Sequence, residues 1–536
     1  MSAHVRHLRS KIPSGVLPSL RLRRLPQIRL ASSSLSSKTN AFIAGVDEVN
    51  APPPPGAGAT RIRLAVKDNI AAQGLPTTCA SHILTGHEVP FTATIVQQIE
   101  QSLHAELWGK TNMDEFGMGT HSTNTPYGAV SNSSTLPLEG RSAGGSSGGS
   151  AVAVSMGQAT VALGTDTGGS IRMPAAYTGT VGFKPSYGML SRWGAVPYAN
   201  SLDTVGLIAK EVAPIQEIIH AVCMEHDPKD PTSLPTTVRE RCVSERQCFP
   251  SSRSTPPSLQ SQGLRGLTFG LPVEYNIEEL SPRIKEGWMQ VADKIKENGG
   301  RVVPVSLPST KSALSAYYVI APAEAASNLS KYDGIRYGKR ASSAEEEATS
   351  DALNGILYAK TRGEGFGPEV KRRILLGSYT LSSEAVDNYF KQAQRVRRLV
   401  RRDFDRVFKL SNPLLEQEES DGDDSNQQQF DLSDMDESVP LESKLGPTQI
   451  DFLLCPTAPT TPPKLSDIAK QTPFDSYMND VFTVPASLAG LPAISIPMAL
   501  PKSEEDPVDF GGVQLIGQFW DDARLLAVAG HIRSNQ

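Results

Sequence analysis

Two glycine-serine clusters, separated by a short apolar segment, constrain the fold of this chain more than any other feature. They read GRSAGGSSGGSA at 140–151 and GTDTGGSIRMPA at 164–175, and AVAVSMGQATVAL connects them. Glycine at this density lets the backbone approach other groups closely. A flexible linker would not carry an apolar segment of this length between its two halves. The pattern therefore predicts buried backbone and shaped loops over 140–206, where charge is also low.

The clusters exclude two common nucleotide-binding motifs and leave one catalytic motif open. A phosphate-binding loop of the type GxxxxGK[ST] needs a lysine after its last glycine, but Gly149 is followed by Ser150. Neither cluster contains the GxGxxG of dinucleotide-binding folds. Gly144 to Gly148 match GxSxG around Ser146, as in the nucleophile elbow of α/β-hydrolases. No His or Asp partner for this serine can be assigned from one sequence.

A strand is predicted upstream of the clusters, in RIRLAVKDNI at 61–70. Ile62, Leu64 and Val66 alternate with other residues, which is the period of a half-buried strand. The alternation ends at Lys67, so this lysine stands at a strand end. A lone lysine in such a position is usually only solvated, and the strand by itself assigns it no function.

The first 46 residues differ in composition from the rest of the chain. Residues 1–46 contain eight Lys and Arg, no acidic residue and many Ser and Leu. This composition is typical of a mitochondrial transit peptide, and a basic tail that binds nucleic acid is the alternative. A linker is predicted over 47–59, which includes APPPPGAGA.

Two insertions are predicted further along the chain. The segment 226–262 is rich in Pro and Ser and lacks apolar periodicity. The segment 411–446 contains eleven acidic residues between Glu416 and Glu442 with no Lys or Arg among them, and such a stretch cannot bury enough apolar surface to offset its ordering entropy. Outside it and the first 46 residues the chain is nearly neutral, which argues against a protein that binds nucleic acid alone.

A helix is predicted over 384–409, with an apolar stripe and a strongly basic remainder. The stripe consists of Phe390, Ala393, Val396, Leu399, Val400, Phe404, Val407 and Phe408. The other faces carry Lys391, Arg395, Arg397, Arg398, Arg401, Arg402 and Arg406. A solvated face is the ordinary interpretation of these charges, and contact with RNA phosphates is the alternative.

Other classes of protein are excluded by composition. No stretch approaches the roughly 18 uninterrupted apolar residues of a membrane span. The five cysteines are far apart and form no CxxC pair, so neither a disulfide framework nor a structural metal site is expected.

Together, the clusters and several further motifs resemble the amidase signature family over most of 60–530. The further motifs are AVKDNI at 65–70, GKTNMDEFGMGT at 109–120, GFKPSYGMLSRWG at 182–194, SNLSKYDGIRYG at 327–338, VKRRILLG at 370–377, CPTAPTTP at 455–462 and YMNDVFTVPASLAGLPAISIP at 477–497. The resemblance implies an α/β fold, with α/β/α layers around a mixed β-sheet and a site on loops at strand ends. It also implies one amidase signature domain over 60–530 that contains both insertions.

The resemblance implies a Ser-Ser-Lys triad. Ser170 corresponds to the nucleophile, Ser146 to the bridging serine and Lys67 to the general base. A lysine can serve as base only when neutral, with its pKa lowered from about 10.4 towards 7–8 by burial. The backbone N–H groups of Thr167, Gly168 and Gly169, with that of Ser170, are then expected to form the oxyanion hole.

The later motifs look most like the glutamine-hydrolysing branch of the family. Free glutamine carries an α-carboxylate and an α-ammonium, so its pocket needs one fixed cation and one fixed anion. By resemblance these are Arg373 and Asp480, with Tyr317 nearby. A surface ion pair for Arg373 and a helix cap for Asp480 are the alternatives.

This branch implies partners and a location. The expected reaction supplies ammonia for the ATP-dependent conversion of Glu-tRNA(Gln) to Gln-tRNA(Gln) in the mitochondrial matrix. The sequence shows no ATP site, so ATP with Mg²⁺ is expected to be used by the B-subunit of the amidotransferase, which would also make most tRNA contacts. A third, small subunit is left open, and no cofactor or metal is expected in this chain. The rivals are a stand-alone amidase on small or lipid amides and an inactive scaffold protein.

Overall fold

A twelve-stranded mixed β-sheet forms the centre of the molecule in the computed structural model. The structure describes residues 29–30, 39–45, 62–132, 140–246, 263–341, 358–415 and 449–535. In chain order the strands are β1 Arg29–Leu30, β2 Phe42–Gly45, β3 Arg63–Lys67, β4 Glu106–Thr111, β5 Val161–Asp166, β6 Val181–Lys184, β7 Thr204–Ala209, β8 Thr268–Pro272, β9 Arg301–Val305, β10 Phe452–Pro456, β11 Ala493–Ala499 and β12 Phe510–Ile516. Their order in the sheet is β1-β2-β4-β3-β5-β7-β6-β11-β12-β10-β8-β9.

Helices surround this sheet. They are α1 Thr94–Leu103, α2 Gly148–Ser155, α3 Arg172–Thr178, α4 Val212–Val222, α5 Thr236–Arg246, α6 Pro282–Glu297, α7 Ala313–Asn328, α8 Ala359–Gly365, α9 Pro368–Thr380, α10 Phe390–Val407, α11 Leu465–Ile468, α12 Pro473–Met478, α13 Val484–Ala489 and α14 Asp522–Ser534. Short 3₁₀ turns lie at His82–Leu84, Glu115–Gly117, Val273–Tyr275, Pro308–Ser312 and Leu329–Lys331.

The sheet contains both parallel and antiparallel pairs, which confirms the mixed α/β class. β3 is parallel to both β4 and β5, whereas β7 and β12 are antiparallel to their neighbours. β5 and β7 are buried at every position, as expected for central strands covered on both faces. The ends of β3 and β5 therefore meet at one edge of the sheet, where Lys67 and Asp166 complete these two strands.

The predicted strand and helix are confirmed, with a shorter helix. The alternation over 61–70 forms β3, which ends at Lys67. The arginine-rich helix spans Phe390–Val407 rather than 384–409, because turns occupy the preceding residues. Two of its arginines are not simply solvated, since Arg397 donates to the carbonyl of Leu488 and Arg406 to that of Ser306.

Two short strands of the sheet lie within the predicted leader of residues 1–46, whose boundary stays a prediction. β2 pairs with β4, and Ala41, Ile43 and Ala44 are buried. β1 pairs with β2 in turn. The basic composition of 1–46 obscured these two short strands, because an average over the segment hides a four-residue apolar strand at its end. The other residues of 1–46, and the predicted linker at 47–59, lie outside the described residues.

Of the two predicted insertions, the structure describes mainly the start of the first. Residues 226–246 are packed, and α5 buries Cys242 and the whole side chain of Arg239. Arg239 donates to the carbonyls of Gly188 and Met189. Apolar periodicity is absent here because α5 packs through an arginine. Residues 247–262 and 416–448 lie outside the described residues, so the expected disorder of the acidic stretch stays a prediction.

None of the described helices is both long and apolar enough to cross a membrane. Within the described ranges, no group of three or more His, Cys, Asp or Glu side chains is arranged to hold a metal ion. Cys79, Cys223, Cys242 and Cys455 are unpaired and buried.

Candidate active site

Lys67 is fully buried at the end of β3 and is held by oxygen atoms without a formal charge. Its Nζ donates to Ser146 Oγ at 2.7 Å, to Thr165 Oγ1 at 3.0 Å and to the Thr165 carbonyl at 3.3 Å. Burial lowers the pKa of Lys67 to about 7, although the charge of Asp114 opposes the shift. At neutral pH a substantial fraction of this amine is therefore uncharged and able to accept a proton.

Ser146 sits at an irregular point of the backbone just before α2. The Gly145–Ser146 peptide is cis, and the Ser146 carbonyl accepts a hydrogen bond from the amide of Asp114 at 3.3 Å. Gly145 packs so tightly against the Asp114 carboxylate that any side chain at 145 would collide with it. Glycine is required at 145 for this close approach, and the approach fixes the serine beside Lys67.

Ser170 follows β5 in a loop that runs from Asp166 into α3. The buried Asp166 carboxylate pairs with Arg172 at 2.8 Å and accepts from the amide of Ile171 at 3.2 Å, which closes the loop. The carbonyl of Ser170 accepts a hydrogen bond from the amide of Ser147 at 3.1 Å. The two glycine-serine clusters are thus in direct contact, and Ser170, which is only partly buried, lies against the residue that follows Ser146.

The amides of the loop 167–170 are free within the described ranges, where no group accepts a hydrogen bond from them. The loop is instead held by hydrogen bonds of the Thr167 hydroxyl and the Gly168 carbonyl. The Thr167 hydroxyl donates to Asp203 at 2.7 Å, and the Thr483 hydroxyl donates to the carbonyl of Gly168 at 2.5 Å. Free N–H groups on a rigid loop are the donors that an oxyanion requires.

Arg373 and Asp480 form a buried pair of opposite charges bridged by a tyrosine. Arg373, on α9, donates to Glu369 at 2.8 Å and to the hydroxyl of Tyr198 at 2.6 Å. Tyr318 donates to Asp480 at 2.8 Å, and its ring lies 5.4 Å from the Arg373 guanidinium. Burial raises the pKa of Asp480 to about 7. A surface ion pair for Arg373 is therefore excluded, because both Arg373 and Glu369 are largely buried.

The sequence places Tyr317 near this pair, and the adjacent Tyr318 makes the direct hydrogen bond to Asp480. Tyr317 lies against Gly168, where a side chain at 168 would collide with the tyrosine ring, so it borders the loop 167–170. Tyr318 is the residue that touches both Arg373 and Asp480. Sequence reasoning also missed Tyr198, Glu369 and Tyr477, whose ring lies 5.5 Å from the Arg373 guanidinium. The sequence offered a signal for two of these residues, because Tyr318 is adjacent to Tyr317 and Tyr477 opens the motif at 477–497.

A polar cavity of about 360 Å³ opens beside Arg373. Glu369, Arg372, Arg373 and Tyr477 line one part of it, and Thr120 and His121 line another. Lys67, Ser146 and Ser170 do not line it. The cavity therefore borders Arg373 but not the lysine-serine arrangement.

The fold and the lysine-serine arrangement define an amidase. The chain belongs to the Amidase family, because the model of that family matches residues 57–526. It is 55% identical to the mitochondrial A-subunit of glutamyl-tRNA(Gln) amidotransferase from Neurospora crassa, covering 96% of this chain and 97% of that protein. The protein of the same name from Podospora anserina is 59% identical, with 87% and 88% covered. The crystal structure of the glutamyl-tRNA(Gln) amidotransferase A-subunit from Thermotoga maritima superposes with a TM-score of 0.62 at 33% identity, covering 87% of this chain and 82% of that one.

Proposed function

We propose that this chain is the glutamine-hydrolysing subunit of a mitochondrial amidotransferase that converts Glu-tRNA(Gln) to Gln-tRNA(Gln). The observation that carries the proposal is the 2.7 Å hydrogen bond from the buried Lys67 to Ser146, beside a loop of free amides that ends at Ser170. The names of relatives that match nearly the whole chain supply the substrate and the location. In this function the chain is part of a carbon-nitrogen ligase with glutamine as amido donor.

The chemistry divides among three side chains. Neutral Lys67 takes a proton from Ser146, which takes one from Ser170 as the Ser170 oxygen attacks the side-chain amide of glutamine. The amides of Thr167, Gly168, Gly169 and Ser170 receive the negative charge that develops on the carbonyl oxygen. The proton returns through Ser146 to the leaving nitrogen, and ammonia departs. Water then hydrolyses the glutamyl ester, and the same relay accepts its proton.

The charge pair gives the site its preference for free glutamine. Arg373 binds the α-carboxylate, and Asp480 in its ionised form binds the α-ammonium. Tyr318 keeps the two groups at a fixed separation through its hydrogen bond to Asp480. Tyr317 contacts Gly168 and so borders the loop that carries Ser170. A hydrolase for lipid or small apolar amides would have no use for two opposite charges buried together.

The B-subunit performs the rest of the reaction. It uses ATP with Mg²⁺ to activate the glutamyl group of Glu-tRNA(Gln), makes most of the tRNA contacts and receives the ammonia. This chain itself needs no cofactor for serine chemistry. The identity of the partners, including a third, small subunit, belongs to this proposal.

The deciding experiment follows the amide nitrogen. Glutamine labelled with ¹⁵N in its amide is supplied with ATP and Glu-tRNA(Gln) to the chain with and without the B-subunit, and label is expected on the tRNA-bound amino acid only when both proteins are present. The matched variant Ser170→Ala is expected to abolish transfer from glutamine but not from free ammonia. Absence of label with both wild-type proteins present would reject the proposal, and so would full turnover by Ser170→Ala.

A variant of the pocket separates glutamine recognition from ammonia use. Arg373→Ala is expected to abolish transfer from glutamine while transfer from ammonia continues, because ammonia needs no fixed cation. An equal loss of transfer activity with glutamine and with ammonia would contradict the assignment of Arg373 to the pocket.

A further inference from the structure

The hydroxyl of Thr483 joins the loop 167–170 to the backbone of Asp480. Thr483 is completely buried and lies immediately before α13. Its hydroxyl oxygen is 2.5 Å from the carbonyl oxygen of Gly168 and 3.1 Å from that of Asp480, so one proton is shared between two acceptors. A side chain at Gly169 would collide with this hydroxyl. Thr483 therefore contacts the loop of free amides and the anion-bearing residue of the charge pair at the same time.

The contact with Gly168 sets the direction of the peptide that joins Gly168 to Gly169. This peptide is trans, because the cis bond of the described residues joins Gly145 to Ser146. In a planar trans peptide the C=O and N–H groups point in opposite directions. Thr483 holds the Gly168 carbonyl on one side, so the Gly169 N–H points to the other side, where no described group accepts a hydrogen bond from it.

Two consecutive glycines make this peptide easy to rotate. Neither Gly168 nor Gly169 has a Cβ that would bar the reversed orientation, in which the carbonyl replaces the N–H. A carbonyl oxygen in that place would repel the negative charge that develops on the substrate. Among the described residues, no group other than the Thr483 hydroxyl donates to the carbonyl of Gly168. This hydroxyl is therefore the restraint against the reversed orientation.

The second acceptor of the hydroxyl, the carbonyl of Asp480, has two further donors. It also accepts from the amide of Thr483 at 3.1 Å and from that of Val484 at 3.0 Å. Loss of the hydroxyl therefore leaves the backbone of Asp480 held, and its carboxyl keeps the hydrogen bond from Tyr318. The loop depends on the hydroxyl more than the charge pair does, so kinetic measurements can separate the two.

We propose that Thr483 is a positioning residue for the glutaminase reaction, an inference that rests on the proposed function. Its hydroxyl keeps the Gly168–Gly169 peptide in the orientation that directs the Gly169 amide towards the oxyanion. Thr483 acts through Gly169 and not on the substrate itself. The amide contributes most when negative charge has developed on the carbonyl oxygen, so Thr483 affects kcat rather than the binding of glutamine.

The test compares two substitutions of Thr483 in the full-length chain assembled with the B-subunit. Thr483→Val removes the hydroxyl and keeps the branched shape, and it is expected to lower kcat for glutamine about 100-fold while KM changes by less than about twofold. Thr483→Ser keeps the hydroxyl and is expected to retain kcat within about threefold of the wild-type value. Transfer from free ammonia, which does not use the loop, is expected to continue at the wild-type rate in both variants.

Thr310→Val is the matched control. Thr310 is also buried, and its hydroxyl donates to the carbonyl of Leu307 at 2.6 Å. The substitution removes a comparable hydrogen bond between a hydroxyl and a backbone carbonyl. It is expected to lower the melting temperature by an amount similar to that for Thr483→Val, while kcat and KM stay at their wild-type values.

Crystal structures of the wild type and of Thr483→Val show the peptide directly, whatever the substrate is. The Gly168–Gly169 peptide is expected to be rotated in the variant. An unrotated peptide would overturn the inference, and so would a kcat within about threefold of the wild-type value or equal losses in Thr483→Val and Thr483→Ser. A parallel loss of ammonia transfer would also overturn it, because Thr483 would then be required for the fold. A wild type that hydrolyses no glutamine would count instead against the proposed function, and the peptide orientation would still be measured.

Discussion

Lys67 and Lys110 are two buried lysines on neighbouring parallel strands, and they make an instructive comparison. Both side chains are completely buried. Each donates a 3.0 Å hydrogen bond to a threonine hydroxyl, from Lys67 to Thr165 and from Lys110 to Thr77. Burial lowers the pKa of both amines. Position, burial and one hydrogen bond therefore fail to distinguish the candidate base from its neighbour.

The remaining partners distinguish them. Lys110 lies 3.6 Å from the buried carboxylate of Asp68 and donates to the carbonyl of Ile70 at 2.6 Å, and the charge of Asp68 opposes the lowering of its pKa. Lys67 donates instead to the hydroxyl of Ser146. A carboxylate partner favours the charged amine, whereas a hydroxyl partner can give up a proton to a neutral one. Lys110 thus has a structural role as a member of a buried ion pair, whereas Lys67 is suited to proton transfer.

The largest expected effect is on activity, from Lys67→Met. Glutamine hydrolysis should fall about 10⁴-fold, since the serines lose their base. The free energy of unfolding should change by no more than about 2 kcal/mol, because only hydroxyl and carbonyl partners lose a hydrogen bond. Steady-state glutaminase assays and urea unfolding measure the two quantities.

The distinction between the two lysines would be contradicted if Lys67→Met hydrolysed glutamine at a rate within tenfold of the wild-type rate. A large loss of stability in this variant would also contradict the comparison, because it would give Lys67 a structural role like that of Lys110.

Lys110→Met should show the reverse, with stability as the main loss. Removing one member of a buried ion pair leaves Asp68 charged and unpaired, which costs about 3–5 kcal/mol. Urea unfolding of the purified chain measures this loss. The double variant Lys110→Met with Asp68→Asn should recover a large part of it, since no buried charge is then left alone and the amide oxygen can still accept from Thr78 and Ala80. If Lys110→Met had the same free energy of unfolding as the wild type, the structural role of Lys110 would be contradicted.

Residue patterns alone could not have separated these two lysines, and the family resemblance was what singled out Lys67. Both end short apolar segments in motifs of the same family, AVKDNI and GKTNMDEFGMGT. What separates them is whether a carboxylate or a serine approaches, and Ser146 comes from a segment 79 residues away. Local patterns did predict β3 and most of α10, because each depends on neighbouring residues. The catalytic roles stay predictions until the variants are assayed.

The charge pair illustrates the same limit. Tyr317 and Tyr318 are adjacent in sequence, and which of them reaches Asp480 depends on how α7 packs against a segment 162 residues further along. β2 was likewise hidden, because its partner β4 lies more than 60 residues later. Contacts between distant segments follow from packing of the whole chain.

A smaller effect is expected from pH. Lys67 has a pKa of about 7, so it is charged below pH 7 and neutral above it. The kcat for glutamine should therefore rise about tenfold per unit below pH 7 and level off above it. Asp480 also has a pKa of about 7 and loses its charge below it, so KM should rise as pH falls. Measurement of kcat at saturating glutamine separates the two groups, and a kcat constant from pH 6 to 8 would exclude a titrating base at Lys67.

The smallest effect is expected from the two threonines, and it isolates what the matching hydrogen bonds do. Thr165→Val removes the hydroxyl that holds Lys67 Nζ at 3.0 Å, and Thr77→Val removes the equivalent hydroxyl from Lys110. Each substitution keeps the shape of the side chain and costs about 1 kcal/mol of stability. Only Thr165→Val should reduce kcat, by about fivefold at unchanged KM, because only its lysine moves a proton. Equal kcat losses in the two variants would show that these hydroxyls support the strands that carry the lysines, β3 and β4, rather than the base itself.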